Sequence, residues 1–235
     1  MRVLVLQHIA CEPPGIYEDV LNAHGAELVR VEVDEGEALP ALGSFDRIVA
    51  MGGPMSVNDE AEQPWLADEK RLIASAVRAG VPFWGVCLGV QLLASSMGAR
   101  VYPGDQPEVG LLPVFLTDDA RADPVFAGLP NELVTLQWHG DTFDLPPGAV
   151  LLAGSPLCPH QAFRIGPSAY GLQFHLEVSP ELAREWGDVP AYRDSLERTL
   201  GPGALERLIG ELESNAEVMA GAASGLFERW LVATP

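Results

Sequence analysis

The sequence is poor in the features that mark secreted, membrane-bound or nucleic-acid-binding proteins. It has only three cysteines among 235 residues, Cys11, Cys87 and Cys158. Their number is odd and no CxxC spacing occurs, which argues against a disulfide framework or a zinc site and fits a reducing, cytoplasmic compartment. Basic residues are scarce as well: 14 Lys and Arg against 33 Asp and Glu leave a formal net charge of −19. Such a field repels phosphate backbones and anionic lipid, so neither a nucleic-acid nor a membrane partner is expected. No apolar run approaches the roughly 20 residues of a membrane-spanning helix. Met1–Leu6 is interrupted by Gln7 and His8; it is too short for a signal-peptide core and reads as a buried strand. There is no internal repeat, low-complexity segment, domain-splitting linker or P-loop pattern. A single domain over 1–235 is expected, with a core over about 1–180 and a helical region over about 180–235. No cofactor and no metal are predicted.

The first half alternates strand-like and helix-like segments. Arg2–Leu6, Glu27–Val33, Phe45–Met51 and Val81–Val86 read as strands, and Tyr17–His24, Trp65–Ala79 and Leu88–Met97 as helices. Each helix is closed by a glycine: Gly25, Gly80 and Gly98. This alternation predicts an α/β fold built on an open, mostly parallel sheet with helices on both faces. After Gly98, shorter strand candidates follow at Leu111–Leu116, Glu132–Gln137, Val150–Ser155, Gln161–Ile165 and Ala169–His175, separated by Pro/Gly turns, as in antiparallel additions to the sheet. From Ser179 onward the chain reads as helical, ending in an amphipathic stretch over Ala204–Leu231.

Three motifs point to chemistry. In Gly85-Val86-Cys87-Leu88-Gly89 a cysteine stands between a strand and a helix, with a glycine two residues to either side. A nucleophile on a tight strand-to-helix turn needs small neighbours there, and the helix N-terminus favours thiolate. The Leu88 N–H would face a developing oxyanion. In Gln173-Phe174-His175-Leu176-Glu177, His175 and Glu177 project to the same side of an extended segment. A carboxylate beside an imidazole fixes its tautomer and stabilises the imidazolium, as a general base for Cys87 requires. At Gly52-Gly53-Pro54, tandem glycines let the backbone approach a ligand closely, and the Gly53 N–H can supply a second oxyanion donor.

Together these blocks resemble the class I glutamine amidotransferases, in particular stand-alone proteins similar to the amidotransferase domain of GMP synthase. The resemblance covers roughly Met1 to Glu177. It implies an open, flavodoxin-like α/β sheet, a Cys87–His175–Glu177 triad and an oxyanion hole from Gly53 and Leu88. It further implies substrate contacts from Gly52 and Gln91, and cleavage of the glutamine side-chain amide through a γ-glutamyl thioester with release of ammonia and glutamate. The family commonly has proline where Leu176 stands. Gln137-Trp138-His139-Gly140-Asp141 is similar to the family's His-Gly-Asp segment; His139 and Asp141 either support the pocket or form a polar turn after a strand. The other histidines, and Cys11 and Cys158, are assigned no role. Three functions remain open on the sequence: a glutaminase passing ammonia to a synthetase on a separate chain, a γ-glutamyl peptidase or hydrolase, and a non-catalytic binding module.

Overall fold

The computed structural model describes residues 1–235. Nine strands form one sheet in the order β2-β1-β3-β4-β9-β8-β7-β5-β6. Its first half is parallel: β1 (Arg2–Gln7), β2 (Glu27–Glu32), β3 (Arg47–Ala50), β4 (Phe83–Val86) and β9 (Ala169–Leu172). The second half runs antiparallel through β8 (Ala162–Ile165), β7 (Val150–Gly154), β5 (Val101–Leu116) and β6 (Glu132–Phe143).

Strand alternation divides the interior into two layers. Val3 and Val5 of β1 join one apolar cluster with Trp84, Tyr17, Phe227 and Trp230, whereas Leu4 and Leu6 join the other with Phe83, Ile73 and Leu92. A period of two buries both faces of a central parallel strand, so the middles of β1, β3 and β4 are apolar on both sides and need helices on each face. The helices are α1 (Ile16–Ala23), α2 (Trp65–Arg78), α3 (Leu88–Ser96), α4 (Asp118–Ala122), α5 (Pro180–Trp186), α6 (Pro190–Leu200) and α7 (Ala204–Ala233). Residues of α1 and α7 fill the first layer, and residues of α2 and α3 the second. Arg47 ties the end of α7 to the sheet, donating to the carbonyls of Leu231 (3.2 Å) and Thr234 (3.0 Å). No helix is long and apolar enough to cross a membrane.

Three elements depart from the sequence reading. Strand β5 starts ten residues before Leu111, because Pro103, Gly104 and Pro107 are absorbed by a register shift between Pro103 and Glu108 and do not end the strand. Its partner β6 likewise runs past Gln137 to Phe143, so His139-Gly140-Asp141 is strand and not a turn. Strand β9 stops at Leu172. His175 is held beyond it by a bridge to β6, in which Leu136 and His175 exchange backbone hydrogen bonds of 3.0 and 2.8 Å.

Candidate active site

The residues singled out in the sequence gather at the carboxyl ends of β3, β4 and β9, where open α/β sheets place their ligands. Cys87 follows β4 and caps α3. It is the one non-glycine residue with positive φ (52°). Such a backbone is worth on the order of 1–3 kcal/mol of strain and persists only where the surroundings enforce it. The enforcement is visible in the flanking glycines. A Cβ on Gly85 would lie 2.6 Å from the Gly89 carbonyl oxygen, and one on Gly89 would lie 2.8 Å from the Ala50 carbonyl carbon. The two turns of backbone can approach only without side chains.

The segment Gln173–Glu177 supplies the second group. His175 and Glu177 are both buried, with Nδ1 of the ring 2.6 Å from Oε1 of the carboxylate. Oε2 of Glu177 accepts from the Leu176 N–H at 3.0 Å. A carboxylate cannot donate, so Nδ1 carries the proton in this pair and Nε2 is the remaining ring nitrogen. Trp186 packs its edge on the ring at 4.9 Å. Burial alone would lower the His175 pKa; the Glu177 charge and the neighbouring Cys87 thiol outweigh it and hold the pKa well above its ordinary value. Phe174 and Leu176 are buried in the apolar layer, so the leucine replaces the family's commoner proline by packing.

Gly52 and Gly53 stand beside this group. A Cβ on Gly52 would lie 3.4 Å from the Cβ of Cys87, and one on Gly53 would lie 3.1 Å from Leu88 Cδ2. Gln91 of α3 is buried and donates through Nε2 to Gln173 Oε1 at 3.0 Å. Gly53, Cys87, Gln91, His139 and Asp141 all line one cleft of about 330 Å³. Asp141 accepts from Ser56 Oγ through its carboxylate (2.7 Å) and from His139 Nδ1 through its carbonyl (2.9 Å).

Sequence reasoning missed three parts of this site. His8 is fully buried between Gly52 O (3.2 Å from Nδ1) and Glu69 Oε1 (2.9 Å from Nε2). It thus grips the carbonyl of the Gly52–Gly53 peptide; the N–H of a trans peptide points the opposite way, so His8 sets the direction of the Gly53 N–H. Glu12 is buried beside Gly52 and His175 and accepts from the Tyr192 hydroxyl. Burial raises the Glu12 pKa against the pull of His175 and of Tyr192. Finally, Ala191, Tyr192 and Ser195 of α6 form a wall of the cleft. The C-terminal helices therefore contribute to the site. None of these contacts has a local signal, since Glu12 and Tyr192 are 180 residues apart.

Residues 18–185 match the sequence profile of the family "Glutamine amidotransferase class-I". The chain is 35% identical over 185 residues to YfeJ of Salmonella typhimurium, described as a glutamine amidotransferase-like protein; the match covers 77% of each. It is 38% identical over 179 residues to the GMP synthase of Thermomicrobium roseum, covering 75% of this chain but 32% of that protein. Among solved structures, a glutamine amidotransferase from Thermotoga maritima superposes with a TM-score of 0.88 at 34% identity, covering 98% of both chains. The chain belongs to the class-I glutamine amidotransferase family.

Proposed function

We propose that the protein hydrolyses the γ-amide of glutamine, or of a γ-glutamyl compound, through a thioester on Cys87. The observation that carries this reading is the strained, positive-φ turn at Cys87 beside the buried His175–Glu177 pair. In the proposed sequence, His175 takes the thiol proton and the sulfur attacks the amide carbon. The Gly53 and Leu88 amides stabilise the oxyanion; neither donates to a carbonyl among the loop and cap hydrogen bonds. His175 then returns its proton to the leaving nitrogen, giving ammonia and the γ-glutamyl thioester. Water, activated by the same imidazole, releases glutamate and regenerates the thiol. Glu177 holds the imidazole in the tautomer this needs.

The cleft favours an amino-acid-like substrate. Asp59 and Asp141 line it and no Lys or Arg does, which suits a free α-ammonium group. Gln91 lines the same cleft, and Gly52 directly precedes Gly53 in its wall. The reaction is placed in the cytoplasm, where the thiol stays reduced, and ammonia would pass to water or to a synthetase on a separate chain. A non-catalytic module has no need of a strained cysteine paired with an oriented histidine.

The test is turnover of purified protein with glutamine and, in parallel, with γ-glutamyl dipeptides, reading ammonia and free amino acid. Release in either arm that disappears in Cys87→Ala supports the reading. Absence of release in both arms, or full release by Cys87→Ala, overturns it. The arm with the higher kcat/KM separates a glutaminase from a γ-glutamyl peptidase.

A further inference from the structure

A second cluster of reactive side chains lies behind the cleft wall and takes no part in the proposed reaction. Glu108 and His139 are directly opposed across the β5–β6 ladder. Cys158, in the loop between β7 and β8, closes the group: one ligand-type atom from each residue lies within 4.8 Å of the others. Glu108, His139 and Cys158 are 3%, 9% and 2% exposed.

The orientation of His139 makes this more than a polar patch. Its Nδ1–H donates to the Asp141 carbonyl at 2.9 Å, so in the neutral ring Nε2 carries a bare lone pair. That nitrogen is 3.2 Å from Glu108 Oε2. The contact is an ion-pair distance without the alignment of a full hydrogen bond. Two lone-pair atoms at this distance repel unless a proton or a metal cation lies between them, and a metal ion can take the place that a proton otherwise fills. The backbone carbonyl on the far nitrogen is the outer contact that metal-binding imidazoles commonly have.

The carboxylate is also pre-set. Ser155 Oγ donates to Glu108 Oε1 (2.6 Å) and Gln161 Nε2 to Oε2 (2.7 Å). The Cys158 turn is fixed by its N–H to Ser155 Oγ (3.0 Å) and by the Ser155 N–H to its carbonyl (2.8 Å). The Cys158 sulfur meets only Thr142 Oγ1 (3.3 Å) and the His160 carbonyl (3.6 Å). Gln161 Oε1 is a further buried oxygen without a partner beside the group. Zinc bonds of about 2.0–2.3 Å place tetrahedral ligand atoms roughly 3.3–3.8 Å apart, so closure around one ion asks for small side-chain shifts.

We infer that Glu108, His139 and Cys158 form a binding site for one divalent, thiophilic transition-metal ion of the zinc type, with a fourth position left to water or Gln161. Binding replaces the Cys158 thiol proton, which passes to solvent, by a metal–sulfur bond. An ordinary thiol is protonated at neutral pH, so uptake releases a proton. Because His139 lines the cleft, an occupied site pins the β6 wall of the substrate pocket. The sequence reading excluded metal on the lack of CxxC spacing; these ligands come together through strand pairing across the register shift, which spacing does not display.

The test is Co²⁺ titration of the full chain carrying Cys87→Ser and Cys11→Ser, so that the other thiols and the His175 site cannot supply a thiolate. The expected result is stoichiometric binding with a near-ultraviolet thiolate-to-cobalt absorption band, proton release, and displacement by Zn²⁺. Adding Cys158→Ser should remove the band. His139→Gln should weaken binding, and Gln161→Leu, which removes the donor that holds the Glu108 carboxylate together with a candidate fourth ligand, should weaken it by about 10–100-fold. Circular dichroism confirms folding of each variant. Absence of a thiolate band in the starting protein, or a band and affinity unchanged by Cys158→Ser and His139→Gln, overturns the assignment. Because the readout uses a Cys87→Ser background, its outcome is independent of whether the protein hydrolyses glutamine.

Discussion

Consider replacing Glu177 with glutamine. In the protein the two carboxylate oxygens are both acceptors, Oε1 for His175 Nδ1–H at 2.6 Å and Oε2 for the Leu176 N–H at 3.0 Å. A glutamine amide has one acceptor and one donor end, so it can satisfy one of these and must oppose the other. If its oxygen faces His175, the NH₂ meets the Leu176 N–H, and a buried donor is left unpaired at about 1–3 kcal/mol. If the NH₂ faces His175, the ring must shift its proton to Nε2, where it can no longer accept the Cys87 proton. Either arrangement also removes the charge that opposes burial and keeps the His175 pKa high. The first outcome is read as lowered stability, and the lost charge, which no longer stabilises the imidazolium, lowers kcat/KM by about 10–100-fold. The second approaches the roughly 10⁴-fold loss known for the same change in serine triads. The assay is steady-state release of ammonia, with folding checked by thermal melting. The pH–rate profile adds a discriminating readout, because its limb for the imidazole should move to lower pH. A Glu177→Gln enzyme within threefold of the parent rate, with an unmoved profile, would refute the assigned role.

Other expectations follow from the same contacts. Gly89→Ala drives a Cβ into the Ala50 carbonyl; overpacking of this kind is worth about 1–3 kcal/mol or more, read as a lowered Tm together with lost activity, and an unchanged Tm would contradict the elbow geometry. Replacing His8 and Glu69 together by leucine avoids a lone buried charge but frees the Gly52 carbonyl. It should lower kcat on the order of 10–100-fold with little change in KM, since the role proposed for the Gly53 N–H is exercised in the transition state; a pure KM effect would argue against that role. Burial raises the Glu12 pKa, and in His8 and His175 carboxylate partners outweigh burial to raise theirs. A folded chain that holds protons more tightly than the unfolded chain is fully stabilised below the unfolded pKa and loses that stability as pH rises through the folded one. Tm should therefore fall as pH rises, from about 4.5 upward for the Glu12 part, which Glu12→Gln removes, and from about 6.5 upward for the histidine part; a Tm that rises toward pH 9 would contradict this.

What could be read in the sequence was what local backbone constraint writes into it. Gly85 and Gly89 announce the elbow because the crowding they relieve lies within two residues of Cys87. Gly25, Gly80 and Gly98 end helices with φ of 65°, 81° and 87°, a conformation that favours glycine. The alternation of Val3, Leu4, Val5 and Leu6 between the two layers carried the sheet. Local punctuation misled where tertiary pairing overrode it: Pro103, Gly104 and Pro107 read as turns, yet β5 continues through them on the support of β6. His175 and Glu177 were placed together for the right spacing but on the wrong element, since the strand ends at Leu172 and β6 holds the segment by the Leu136 bridge. Glu12, Tyr192 and the His8–Glu69 pair were illegible because each is defined by a partner distant in the chain. The same holds for Glu108, His139 and Cys158, whose proximity depends on strand register.

The most direct measurement is peptide mapping by mass spectrometry after exposure to a glutamine-analogue electrophile, with and without competing glutamine or γ-glutamyl dipeptide. Labelling is predicted at Cys87 alone, suppressed by the competitor and slowed by several orders of magnitude in His175→Ala. Equal modification of Cys11, Cys87 and Cys158, or modification of Cys87 at an unchanged rate without His175, would contradict the account.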